Sequence, residues 1–125
     1  MQLSQYAIYT LDFQYYIQAI TSPWTKFEKS EKKNIWILVK ERDGNSVTAT
    51  AFVFDVVDSD DSVVQAEVSA SVSGNASTSL KVYGLVDTTA AGFVDGSSYK
   101  VRFTVTIGDE DYKANIPIKI QEEQL

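Results

Sequence analysis

Residues 98–120 read SYKVRFTVTIGDEDYKANIPIKI, and this stretch decides the fold. Tyr99, Val101, Phe103, Val105 and Ile107 alternate with Lys100, Arg102, Thr104 and Thr106. After the turn Gly108-Asp109-Glu110-Asp111, Tyr112, Ala114, Ile116, Ile118 and Ile120 alternate with Lys113, Asn115, Pro117 and Lys119. Strand side chains repeat with period two, so the apolar groups fall on one face of a hairpin and nearly every polar one on the other. A ribbon with one dry face must lay it on a second sheet. Pro117 has no N–H to give to a ladder, which places its strand at an edge or beside a bulge.

Upstream, residues 87–96 (DTTAAGFVDG) combine two glycines with small side chains and read as the long connection between sheets. Residues 77–86, through Leu80, Val82 and Tyr83, read as one strand. Its partner is the row Val64, Ala66, Val68, Ala70 and Val72, set against Gln65, Glu67, Ser69 and Ser71 and turning at Ser73-Gly74-Asn75. A further strand covers residues 47–57 and closes at Asp58-Ser59-Asp60-Asp61. Ile35, Ile37 and Val39 alternate with Trp36, Leu38 and Lys40, which predicts a central strand buried on both sides, with Trp36 in the core, ended by the turn Arg42-Asp43-Gly44-Asn45. About seven strands and no helix of ordinary length predict an all-β chain: a two-sheet antiparallel β-sandwich, immunoglobulin-like in size. The Cys-Trp-Cys signature of antibody domains is missing.

Residues 6–20 carry two periods. Ala7, Tyr9, Leu11, Phe13, Tyr15, Ile17 and Ala19 form an alternating row, while Tyr9, Phe13, Tyr16, Ile17 and Ile20 fit a helical stripe. Tyrosine, phenylalanine, isoleucine and threonine favour the strand, which ends at Thr21-Ser22-Pro23 because the residue before proline is pushed to extended geometry. The chain therefore divides into an N-terminal strand or arm, residues 1–22, and a sandwich domain, residues 23–125. Two placements fit the first segment: a strand paired within its own domain, or an arm added to the sheet edge of a neighbouring subunit. The interface candidates are Tyr9, Leu11, Phe13, Tyr15 and Ile17 on the apolar row, and Trp24 beside Pro23.

With 125 residues, one domain can bury about two-thirds of its unfolded surface without staples. The chain has no cysteine and no histidine. Disulfides, thiolate and imidazole metal sites, and the Ser-His-Asp and Cys-His arrangements are thereby excluded. A formal charge of −6 and a pI near 4.5 argue against nucleic acid and anionic membranes as partners. Six of the eleven basic residues nevertheless lie between Lys26 and Arg42; this is a locally basic region, or a solvated surface mixed with Glu28, Glu31 and Glu41. No apolar run is long enough for a transmembrane helix, and the first basic residue is Lys26, so a secretory leader is not expected and the mature chain is expected to start near Met1.

The run Phe27-Glu28-Lys29-Ser30-Glu31-Lys32-Lys33-Asn34-Ile35 entering a strand, the hairpin Val39-Lys40-Glu41-Arg42-Asp43-Gly44-Asn45, and Tyr99 to Thr106 with a closing strand resemble the immunoglobulin-like β-sandwich modules of tailed-bacteriophage virion proteins. Tyr9-Thr10-Leu11-Asp12-Phe13 is similar to the leading strand of phage upper-baseplate proteins. The pattern differs in having Ser30-Glu31 where Gly-Asp is usual. The resemblance implies a non-enzymatic structural protein of a tail, baseplate, neck or head decoration, made in the host cytoplasm and located in the virion. It implies a homo-oligomer whose partners are other virion proteins, without a cofactor.

Among the acids, Asp55, Asp58, Asp60 and Asp61 are the calcium candidates, since calcium takes six to eight oxygens and these carboxylates cluster in sequence. The spacing is not that of an EF-hand, and no metal is expected. Paired catalytic carboxylates must face each other across a cleft, and the acids here lie mostly in turns. Trp24, Trp36, Tyr83, Phe93 and Tyr99 are the rings available for stacking on sugars, and Asn75-Ala76-Ser77 fits a glycosylation sequon. The alternative function is accordingly a carbohydrate- or calcium-binding β-sandwich module of a bacterial surface or secreted assembly.

Overall fold

A computed structural model of the chain describes residues 6–10, 14–20, 25–28, 31–89, 92–94 and 96–121, with backbone alone for residues 6–10 and 20. The described residues form β1 (Tyr6–Thr10), β2 (Tyr15–Ile20), β3 (Lys26–Phe27), β4 (Lys32–Glu41), β5 (Ala51–Asp58), β6 (Val63–Ser69), β7 (Ser71–Ser73), β8 (Leu80–Asp87), β9 (Ser98–Ile107) and β10 (Glu110–Ile120). They make two five-stranded sheets, ordered β1-β2-β4-β8-β7 and β3-β10-β9-β5-β6. The expected immunoglobulin-like β-sandwich is the observed fold. Pairing is antiparallel except where β3 runs parallel to the end of β10, Lys26 beside Lys119 and Phe27 beside Ile120.

The closing hairpin follows its alternation. Glu110 pairs with Ile107 across the two-residue turn Gly108-Asp109, and the ladder runs to Lys119 opposite Ser98. Gly108 has φ +64°, the left-handed conformation such tight turns require. Tyr99, Val101, Phe103 and Val105 face Ile116, Ile118 and Ile120 in the dry row, all buried. Pro117 lies where β10 has β9 on one side and no described strand on the other, the edge position that its missing N–H demands.

The two sheets meet through close packing of unequal side chains. Phe54 of β5 stacks against Phe103 with ring centroids 5.8 Å apart. Across the sandwich its ring lies over Gly84 of β8, where an added Cβ would stand 2.5–2.7 Å from three ring atoms. Gly84 is therefore the groove that lets the sheets close. The connection between β8 and β9 carries the chain from one sheet to the other, as expected. Its geometry is pinned by Tyr99, whose hydroxyl accepts from the Val94 N–H at 2.7 Å and donates to the Gly92 carbonyl at 3.1 Å. A buried tyrosine at the start of this strand that ties back to the preceding corner is the tyrosine-corner device of immunoglobulin-like sandwiches.

Five expectations are corrected. The alternating row of residues 6–20 is a hairpin, not one strand: β1 folds back on β2 with Tyr9 opposite Ile17 and Ala7 opposite Ala19. The row from Val64 to Val72 is split, β6 belonging to the second sheet and β7 to the first, with buried Ala70 at the crossing. Val68, expected to face inward, is 51% exposed. Residues 47–50 lie outside the strand predicted over 47–57, because the Asn75 amide captures both the N–H (2.9 Å) and the carbonyl (3.0 Å) of Ala49, acting as a substitute strand. Finally, β4 is central, but only Ile35, Ile37 and Val39 are fully buried; Trp36 and Leu38 are half-buried on the outer face.

Candidate functional site

Of the four acids that cluster in sequence, three have their carboxylates engaged in structural bonds. Asp55, on β5, accepts from Arg102 on β9 in a two-pronged pair, Nε to Oδ1 at 2.9 Å and Nη2 to Oδ2 at 2.6 Å. This bond holds the guanidinium in its charged form beyond the ordinary arginine range. Asp58 spends Oδ1 on its own turn, accepting from the N–H groups of Asp60 and Ser62 at 2.8 and 3.0 Å. Asp61, at φ +63°, accepts from Lys100 Nζ at 2.7 Å, and that hydrogen bond holds its carboxyl below the usual aspartate range. Asp60 is exposed on the turn. Among the described residues no three metal-ligating side chains converge, so the four calcium candidates are not brought together.

Glu41, buried at the end of β4, works in the same way. Its Oε1 accepts from the N–H groups of Asp43 and Asn45 at 2.8 and 3.0 Å, closing the turn after β4. The Asn45 bond is the main reason its carboxyl sits below the usual glutamate range. The sequon asparagine is likewise engaged: Asn75 Nδ2, the atom a glycan would occupy, donates to the Ala49 carbonyl.

The interface candidates among the described residues take different places. Tyr9 lies on β1, the end strand of its sheet. Leu11, Phe13 and Trp24 lie outside the described residues. Ile17 is 1% exposed and belongs to the core, not to a contact surface. Tyr15 is half-buried, its ring 5.5 Å from that of Tyr112 in an edge-on contact across the end of the sandwich. Pairing of β2 with β4, Ile17 opposite Val39 and Ala19 opposite Ile37, makes the second half of the N-terminal segment part of the domain.

The strand edges differ in how they are finished. Where β7 stops, the Gln65 side chain takes its place on β8, donating to the Leu85 carbonyl at 3.0 Å and accepting from the Asp87 N–H at 3.2 Å. β10 has Pro117, β7 is three residues long, and β6 pairs with β5 through two register shifts. β1 pairs with β2 on one side and with no described strand on the other.

A further surface was not legible as such in the sequence. On the outer face of the first sheet Trp36 lies opposite Tyr83, and Leu38 opposite Lys81. Lys81 Nζ sits 5.0 Å from the Trp36 ring centroid and 5.4 Å from that of Tyr83. Leu85, 48% exposed, continues the row on β8. One sequence signal points to this surface: the row Lys32, Asn34, Trp36, Leu38, Lys40 starts and ends in polar residues, as an outward row does, whereas Ile35, Ile37, Val39 is uniformly apolar. Phe93 and Tyr99 pack on each other instead, ring centroids 4.9 Å apart and both buried.

No protein-family model and no curated protein matches the chain. Among solved structures it is similar to the filamin domain of Lin-41, with a TM-score of 0.49 and 12% identity over 86% of this chain and 93% of that one. It is also similar to a family 123 glycoside hydrolase from Clostridium perfringens, with a TM-score of 0.48 and 7% identity over 78% of this chain. The match spans 22% of the hydrolase.

Proposed function

We propose that the chain is a non-catalytic structural module of a virion-type assembly, and that neighbouring copies join it by adding a strand to β1. The observation that carries this reading is the end position of β1 among the described strands, whose other edges are blunted. On the side away from β2 its five residues pair with no described strand, and a row of main-chain donors and acceptors there is the arrangement strand addition uses. The engagement of Asp55, Asp58, Asp61 and Glu41 in structural bonds supports a scaffold role for these acids. The resemblance of residues 27–45 and 99–106 to phage sandwich modules supports the virion setting.

Light scattering on the full chain tests the reading, with Ala7→Pro and Ile8→Pro as separate variants. Adjacent strand residues direct their N–H groups to opposite sides, so one of the two prolines removes a donor from the free edge and the other breaks the ladder to β2. The wild type is expected to be oligomeric. One variant is expected to be monomeric with an unchanged melting curve. A monomeric wild type, or an oligomer that survives both prolines, overturns the proposal.

A further inference from the structure

We propose that the outer face of the first sheet binds an acidic oligosaccharide, with Trp36 and Tyr83 as its stacking platform and Lys81 and Lys40 as the partners of its carboxylates. Trp36 and Tyr83 are directly opposite on adjacent strands, so their Cβ atoms stand about 5 Å apart and both rings lie on the same face of the sheet. A sugar ring presents a face of electron-poor C–H groups, and the negative face of an aromatic ring is its natural partner. Lys81 stands between the two rings, held by their π faces. Among the described residues its ammonium meets these two rings and no carboxylate, so an anion reaching this face would find a cation without a charge partner.

The charge of this face runs against that of the whole. Lys32, Lys40 and Lys81 lie on its outward rows, and the acid among the described outward residues, Asp87, is occupied by Lys32 at 4.0 Å and by Thr89. Two cations therefore remain for a ligand, on a molecule of net charge −6. They are set close together: Lys40 lies one two-residue step, about 7 Å, beyond Leu38, whose cross-strand neighbour is Lys81.

Three kinds of anion would meet such a face, and the surroundings choose between them. A nucleic acid duplex carries a charge every ~1.7 Å, far more than two lysines on an acidic body can offset. A protein contact of this size surrounds its aromatics with other apolar groups and is depleted in lysine and serine. Here the rings share their rows with Leu38 and Leu85, but Ser71 stands opposite Tyr83, Ser73 opposite Lys81 and Asn34 opposite Leu85. Hydroxyl and amide groups around two rings and a cation suit a ligand made of hydroxyls, C–H faces and widely spaced carboxylates, which is an acidic oligosaccharide.

The test is titration of the full chain with oligogalacturonate, with its fully methyl-esterified form and with oligo-glutamate. Lys81→Gln and Trp36→Ala alter the face; Lys113→Gln makes the same charge change on the opposite sheet. Binding of oligogalacturonate is expected, weakened about tenfold or more by methyl esterification and by Lys81→Gln, abolished by Trp36→Ala and untouched by Lys113→Gln. Thermal melting of each variant confirms that it is folded. No binding of oligogalacturonate, equal binding of the methyl ester, equal binding of oligo-glutamate, or equal sensitivity to Lys113→Gln overturns the proposal.

Discussion

On the outer face of the β3-β10-β9-β5-β6 sheet the charges find one another, Arg102 with Asp55 and Lys100 with Asp61, and Thr106 donates to Asp111 at 2.6 Å. On the outer face of the β1-β2-β4-β8-β7 sheet, Lys81 leans on Trp36 and Tyr83 instead. Both faces obey the same alternation and close over the same core. The difference lies in what these cations meet: carboxylates for Arg102 and Lys100 on the second sheet, two aromatic rings for Lys81 on the first. An exposed ion pair and a cation over an aromatic ring each contribute about 1 kcal/mol or less, so the two faces differ in chemistry more than in their contribution to folding.

The comparison rests on two sheets held at a fixed spacing, and its sharpest break is at Gly84. Gly84→Ala places a methyl group against the Phe54 ring, which Phe103 prevents from withdrawing. The expected loss is about 3 kcal/mol by denaturant titration, and a joint Phe54→Leu change should recover part of it. Asp55→Asn comes next. It removes the charge from a two-pronged pair whose carboxylate is nearly enclosed, and the melting temperature should fall by several degrees, whereas Lys113→Gln on the same sheet should leave it unchanged.

Acid titration separates the paired groups further. Asp61 and Glu41 both have folded pKa values lowered, by Lys100 and by the Asn45 N–H respectively. Their stabilisation is thus fully present above the unfolded values, about 3.9 and 4.3, and is lost as pH falls through the lower folded values. Melting curves should show wild type and Glu41→Gln far apart at neutral pH and converging in acid; a gap that is independent of pH would remove Glu41 from this role. The smallest effect belongs to the first sheet's face: Lys81→Gln should change stability by about 0.5 kcal/mol or less, although it is expected to weaken binding of an acidic ligand about tenfold.

The closing hairpin was legible residue by residue because everything that specifies it is local: period two on both arms, a glycine at the turn, and a proline that fits only an edge. The N-terminal hairpin was not, since its apolar alternation runs on through residues 11–14, where glycine and proline are lacking to mark the reversal. The split between β6 and β7 was hidden for a related reason. Alternation records which residues share a face, but Val64 to Val72 keep the same alternation while the chain passes from one sheet to the other. The candidate surface was half legible. Trp36, Tyr83 and the basic segment were visible, and the polar ends of the Trp36 row mark it as outward, but which strand would bring Tyr83 and Lys81 beside it was not written in the local pattern.

The sequence by itself determined the all-β class, the sandwich, the dry face of its last hairpin and the absence of thiol and imidazole chemistry, because composition and period are properties of neighbours along the chain. Only the tertiary structure decided that Asp55 meets Arg102, that Asn75 holds Ala49, that Ile17 is core and that Trp36, Lys81 and Tyr83 form one cluster on an outer face. Those outcomes depend on which strands lie side by side and in what register, and register is set by packing between segments far apart in sequence.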